Sequence, residues 1–304
     1  MPLQIFVPFY GDPALLDRAV ASVLAQSDPD WTLTVVDDAY PDASVAQTFA
    51  TIADPRVRYL RNDANLGANG NYRRCLALAH DDLLVLLGAD DELLPNYVAT
   101  IRAAHLAYPA AAVIQPGVEI IDGSGRPATA LVDRIKRRLR PRANPRALLA
   151  GQELAVSLLR GNWLYFPALA LARGPAQRIG FRTGLDVVQD LALVLDLVSA
   201  GHTLVLDDTV CFRYRRHRGS DSSWRAATGS RFVEEARFFA DAAQRAEALG
   251  WHRAARIARW HTLSRLNAFT KLPQALWARN WPGVGTLLRH VVGTTGRRIV
   301  GRAG

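Results

Sequence analysis

The sequence predicts an α/β protein whose mainly parallel sheet is covered by helices on both faces, with a helical C-terminal region beyond it. Three observations carry this. Short β-rich runs alternate with helical stretches over the first 122 residues, polar clusters stand at the carboxyl ends of several runs, and after Ser223 the apolar spacing is helical throughout.

The β-rich runs fall at residues 3–7, 32–36, 57–60, 83–87 and 111–114. Helical spacing occupies residues 13–26, 43–52, 71–80 and 95–108 between them. Right-handed crossovers limit the topology, and the usual strand order is 3-2-1-4. A polar turn at residues 122–127 follows, then an arginine-rich run at 134–142, read as a solvated loop or helix face or as a phosphate or membrane contact. Beyond it come a helix near 152–159, a strand at 168–172, a helix at 188–200 and strands at 203–206 and 210–214.

With 304 residues, 49% hydrophobic and 21% charged, the chain has the composition of a folded globular protein. The net charge of +9 is unevenly placed: ten Arg or Lys and no acidic residue lie beyond Gly250, leaving the rest near neutral. Uncharged stretches such as residues 161–172 fall short of the roughly 20 residues of a spanning helix. Residues 1–12 lack a basic leader, and Cys75 and Cys211 lack metal-type spacing, so a reducing, cytoplasmic setting is expected.

In open parallel sheets ligands bind beyond the carboxyl ends of the strands. There the sequence has Pro8-Phe9-Tyr10-Gly11, Asp37-Asp38 and Gly88-Ala89-Asp90-Asp91. Singly, each acidic pair could terminate a strand or favour a helix N-terminus. Together they suit a hard cation, Mg²⁺ or Mn²⁺, held by carboxylate oxygens for phosphate chemistry. Neither G-x-G-x-x-G nor G-x-x-x-x-G-K-[ST] is present, which argues against a dinucleotide dehydrogenase and a P-loop enzyme.

At these residues the sequence resembles the family 2 glycosyltransferases of the GT-A fold, inverting enzymes with a nucleotide-diphosphate-sugar donor. Pro8-Phe9-Tyr10 followed by Ser22 and Gln26 is similar to the family's opening pattern, and Val35-Val36-Asp37-Asp38 to its V-D-D segment. The resemblance implies that Asp38 recognises the nucleobase and that Tyr10 packs on it. Asn65-Leu66-Gly67 with Asn71 is similar to the N-x-G helix entry. Ala89-Asp90-Asp91 resembles the D-x-D-type segment, implying Asp91 on the metal and Asp90 on ribose or metal. Gln189-Asp190 resembles the E-D stretch, which makes Asp190 the expected catalytic base, with Asp186 its nearest rival. Tyr214-Arg215-Arg216-His217 resembles the Y-R-x-H closing segment, which makes His217 a metal ligand or diphosphate contact, with Arg215, Arg216 or Arg218 assisting. Gly88, where an Asp often stands, and Gln189 in place of Glu depart from the pattern.

The implied division is a nucleotide-sugar-binding half at 1–122, an acceptor-binding half at 123–223 and a basic helical region at 224–304. The acceptor expected is a glycan or a lipid-linked saccharide. In the basic region Trp251, Trp260, Trp277 and Trp281 accompany the arginines, as in a helix lying in an anionic headgroup layer on the inner membrane face; packing on the domain or as a homodimer is the alternative. A nucleotidyltransferase, or a non-catalytic nucleotide-binding member of the fold, is the alternative reading. Nucleic-acid binding is disfavoured, because the basic residues form no recognisable motif.

Overall fold

The computed structural model describes residues 2–216, 230–277 and 279–292. The described residues of Met1–Gly151 and Trp163–His217 form one compact unit, and those of Gln152–Asn162 and Arg218–Gly304 a second.

The first unit is built on β1 (Leu3–Phe9), β2 (Trp31–Asp37), β3 (Val57–Arg61) and β4 (Leu83–Leu86), all parallel, in the spatial order β3-β2-β1-β4. This is the expected order. β1, β2 and β4 are almost wholly buried, as apolar runs in a doubly covered parallel sheet must be. Helices α1 (Pro13–Leu24), α2 (Ser44–Ala50) and α3 (Gly67–Leu78) make the crossovers. Asp12 caps α1, its carboxylate accepting from Ala14 N–H, and Pro13 occupies the first turn, where its missing donor costs nothing.

The sheet continues through β8 (Ala170–Ala172), β6 (Val113–Asp122), β9 (Leu204–Arg216) and the short β5 (Glu92–Leu93), with β7 (Arg146–Leu149) also paired to β9. Helix α4 (Tyr97–Ala107) precedes β6, α5 (Leu131–Leu139) follows it, and α7 (Arg173–Ile179) and α8 (Gln189–Ser199) lead to β9. The boundary expected at residue 122 therefore falls inside one sheet. The two strands expected at 203–206 and 210–214 are a single strand. The polar break between them is a bulge, where buried Asp207 accepts from Thr209 N–H and Arg146 Nε while Gly117 of β6 lies against it. A Cβ at Gly117 would stand 2.8 Å from the Asp208 carbonyl oxygen, so only glycine fits this approach.

The second unit holds most of α6 (Gly151–Arg160) and the helices α9 (Ser230–Ala248), α10 (His252–Trp260), α11 (Thr262–Trp277) and α12 (Trp281–Val292). The described part of the C-terminal region is mostly helical, as its apolar spacing predicts. Phe232, Ala268 and Leu287 form its core, beside a buried polar cluster in which Ser264 Oγ contacts His290 Nε2 at 2.7 Å and donates to Glu235. Two arginines expected on a free basic face are engaged, Arg253 with Glu153 and Arg259 with Glu247. Trp260, Trp277 and Trp281 are exposed, and no helix among the described residues is long and apolar enough to cross a membrane.

Candidate active site

Because β1 to β4 are parallel, their carboxyl ends share one edge of the sheet, and the predicted residues gather there. Asp38 follows β2. Its Oδ1 accepts from Asn62 Nδ2 and Leu66 N–H, both at 2.8 Å. Asn71, on α3, donates to the Val36 carbonyl at 2.9 Å and accepts from the same Asn62 amide at 3.2 Å. Asn65 Oδ1 accepts from Gly67 N–H and shapes the entry to α3. Asn62, just past the end of β3, is thus the joint of the pocket. The strand-end rule that singled out the other clusters could have found it.

Asp37 plays a different part from its neighbour. It is fully buried and accepts from Tyr40 N–H, Arg61 and the Tyr59 hydroxyl, which burial and this carboxylate push up to about 12. It pins the loop carrying Tyr40, and Tyr40 stands edge-on to Tyr10 at 5.5 Å. Tyr10 is exposed at the end of β1, with its ring open to a ligand. Pro8 is half-buried, whereas the Phe9 ring is wholly inside the core against Tyr40. Of the predicted Pro8-Phe9-Tyr10 triplet, Phe9 therefore has no side-chain surface for a ligand.

Ala89 packs on the core, Asp90 is half-buried and Asp91 is buried. Asp91 Oδ1 accepts from Arg215 N–H at 2.8 Å, while Oδ2 is buried with no hydrogen-bond partner. Burial, then the neighbouring Asp90 charge, holds the Asp91 carboxyl well above the usual carboxylate range. The glycine at 88 has a steric reason, since a Cβ there would lie 2.5 Å from Asp91 Oδ2. An orphaned carboxylate oxygen beside a second carboxylate fits a hard divalent cation. Among the described residues no cluster of three His, Cys, Asp or Glu is placed to hold an ion. His217, the other predicted ligand, and Arg218 lie outside the described residues.

Asp190 stands in the first turn of α8, whose N-cap is Val188. Asp186 is exposed in the preceding loop, and Asn69 of α3 holds that loop by donating to the carbonyls of Arg182 and Leu185. Two tyrosines tie the halves of the site together. Burial, then Asp90, Asp190 and Asp91, raises the Tyr72 hydroxyl. Burial and the same three carboxylates raise Tyr214, with Arg216 opposing them. All three acids act on both hydroxyls, although 99 residues separate Asp190 from Asp91. Tyr72 stacks on Phe181 at 5.7 Å, and Tyr214 packs against Tyr165 at 5.2 Å.

The expected phosphate role is not available to Arg215 in this arrangement, and Arg216 is already engaged. Arg215 is buried. It donates to the carbonyls of Asp90 and Asp122 and pairs with Glu92. Arg216 grips Asp133 with two hydrogen bonds, at 2.6 and 2.7 Å. Both hold the site's frame. Nothing in the closing segment distinguishes a spent arginine from a free one, because their acceptors lie up to 125 residues away.

A β3-β2-β1-β4 sheet with acidic pairs at the ends of β2 and β4, extended by strands of mixed direction, is the GT-A fold of nucleotide-sugar transferases. The crystal structure of S. aureus TarS 1–349 in complex with UDP-GlcNAc superposes with a TM-score of 0.67 at 13% identity, covering 96% of this chain and 82% of that one. Residues 4–165 match the glycosyl transferase family 2 model. The chain belongs to glycosyltransferase family 2 and is a glycosyltransferase.

The uncharacterized protein MT1568 of Mycobacterium tuberculosis is 27% identical over 76% of this chain and 72% of its own length. The putative colanic acid biosynthesis glycosyl transferase WcaA of Escherichia coli is 31% identical over 33% of this chain and 37% of its own length. The succinoglycan biosynthesis protein ExoO of Rhizobium meliloti is 26% identical over 71% of this chain and 61% of its own length. The nucleotidyltransferase reading gives way to this membership.

Proposed function

We propose that the protein transfers a sugar from a nucleoside diphosphate to an acceptor hydroxyl in one displacement, with inversion at the anomeric carbon. The observation that carries this is the buried Asp91 carboxylate, one oxygen unpartnered next to Asp90, at the sheet edge where Asp38 and the exposed Tyr10 also stand. Tyr10 stacks on the base and Asp38, held by Asn62, meets its polar edge. Asp190 takes the acceptor proton as the acceptor oxygen bonds to the anomeric carbon, while the bond from that carbon to the diphosphate breaks. Asp91 and Asp90, with His217, would hold Mg²⁺ or Mn²⁺, which when bound neutralises charge on the departing diphosphate. The half-buried Tyr72, Tyr165 and Tyr214 supply an aromatic wall for a sugar acceptor.

Relatives named for colanic acid and succinoglycan synthesis favour an extracellular polysaccharide or its lipid-linked precursor as the acceptor. A membrane-surface setting is supported by the basic C-terminal region and its exposed Trp277 and Trp281. Calorimetric titration of UDP, GDP and dTDP with Mn²⁺ and with chelator tests the donor site. Micromolar binding of one nucleotide that chelator weakens at least tenfold is expected (about 1.4 kcal/mol). Chelator-insensitive binding contradicts the metal assignment. The anomeric configuration of the product, read by NMR, tests inversion.

A further inference from the structure

Helix α5 is amphipathic in the wrong sense for a helix packed on a domain. Leu131, Val132, Ile135 and Leu139 share one face, at spacings of one, four and eight residues. Three of them are exposed, Leu131 by 64%, Val132 by 45% and Ile135 by 38%. The face turned to the protein is polar. Asp133 there is the one buried residue of the helix, holding Arg216 and the Tyr165 hydroxyl, and Lys136 donates to the Leu164 carbonyl at 2.6 Å. Behind the helix a cavity of about 330 Å³ is lined by Gln115, Arg134, Arg137 and Trp163 among others. A domain helix normally buries its apolar stripe, so this inversion calls for an apolar occupant outside the unit.

Charge selects that occupant. Arg134 and Arg138 border the apolar stripe, are exposed and have no ion pair among the described residues, while Arg137 lies on the opposite side of the helix, towards the cavity. A second copy of the same face would bring two sets of unpaired arginines together, whereas an anionic bilayer meets both the stripe and the arginines. We propose that α5 docks the catalytic unit on an anionic membrane surface, with Leu131, Val132 and Ile135 in the acyl boundary and Arg134 and Arg138 among the headgroups. The proposal extends the membrane setting offered above but rests on different residues. Asp133 couples α5 to Arg216 and Tyr165, so docking there brings a lipid-linked acceptor to the flank of the site.

The test is sedimentation of the full chain with phosphatidylcholine vesicles, with and without phosphatidylglycerol. The variants are Leu131→Ser/Ile135→Ser, Arg134→Ser/Arg138→Ser and, for the C-terminal region, Trp277→Ser/Trp281→Ser. At about fivefold per arginine, the double arginine variant should partition about 25-fold more weakly onto anionic vesicles. The apolar variant should lose at least about tenfold with its charge intact. Nucleotide binding should be unchanged in both, so a loss of membrane binding is separable from a failure of the donor site. Wild-type partitioning of both α5 variants overturns the proposal, even if the tryptophan variant falls off. A change in oligomeric mass without a change in vesicle binding would assign the face to a second copy and overturn it equally.

Discussion

Arg215 separates a structural role from a ligand role. Replacing it with Met removes a guanidinium that is fully buried and donates to two carbonyls 2.8 and 3.1 Å away while pairing with Glu92. Breaking a buried pair from one side costs about 3–5 kcal/mol, because the partner's charge is left without compensation. Glu92 keeps 19% of its side chain exposed and stands 3.7 Å from Arg213, which places the cost at the lower end, about 3 kcal/mol. In a unit of this size that lowers Tm by roughly 6–12 °C, at about 2–4 °C per kcal/mol. Thermal unfolding of the variant with and without saturating nucleotide is the assay, with nucleotide affinity measured well below the transition. The reasoning predicts a lowered Tm and only a modest change in affinity. An unchanged Tm with nucleotide affinity abolished would refute it and restore Arg215 as a phosphate ligand.

Gly88→Ala should abolish metal-enhanced nucleotide binding, because the new Cβ must displace the Asp91 carboxylate; overpacking of this kind costs about 1–3 kcal/mol of stability, readable by urea unfolding. Burial, then His261, lowers His290 to about 4, so the folded protein binds fewer protons than the unfolded chain between about pH 6.5 and 4. Stability should therefore fall as pH drops through that window, by on the order of 3 kcal/mol, and His290→Gln should flatten the slope in pH-dependent unfolding.

Much of the nucleotide half was legible because its signals are local. The apolar runs of β1, β2 and β4 are buried on both faces and cannot be mistaken for amphipathic surface, and the strand order follows from right-handed crossovers. The clusters around Asp38 and Asp91 announced themselves by standing at strand ends. What stayed hidden depends on distant partners. Arg215 and Arg216 read as free cations until the Asp90 carbonyl and Asp133 are seen beside them. The Asp207 bulge reads as a loop because a buried acid is invisible without Arg146 across the sheet. The arginine run at 134–142 hides a helix whose apolar residues face outward, which no burial pattern anticipates. Phe9 shares the strand-end cluster with Tyr10, yet strand alternation sends its ring into the core.

The proposed base is Asp190, in the first turn of α8. The direct measurement is release of nucleoside diphosphate from a panel of nucleotide sugars with Mn²⁺ and polysaccharide or lipid-linked acceptors, comparing wild type, Asp190→Asn and Asp186→Asn. General-base loss predicts a fall of roughly 10²–10⁴-fold for Asp190→Asn. Nucleotide affinity should be preserved, and Asp186→Asn should stay near wild type. Near-normal turnover in Asp190→Asn with Asp186→Asn inactive would contradict the account and move the base to the exposed loop before α8.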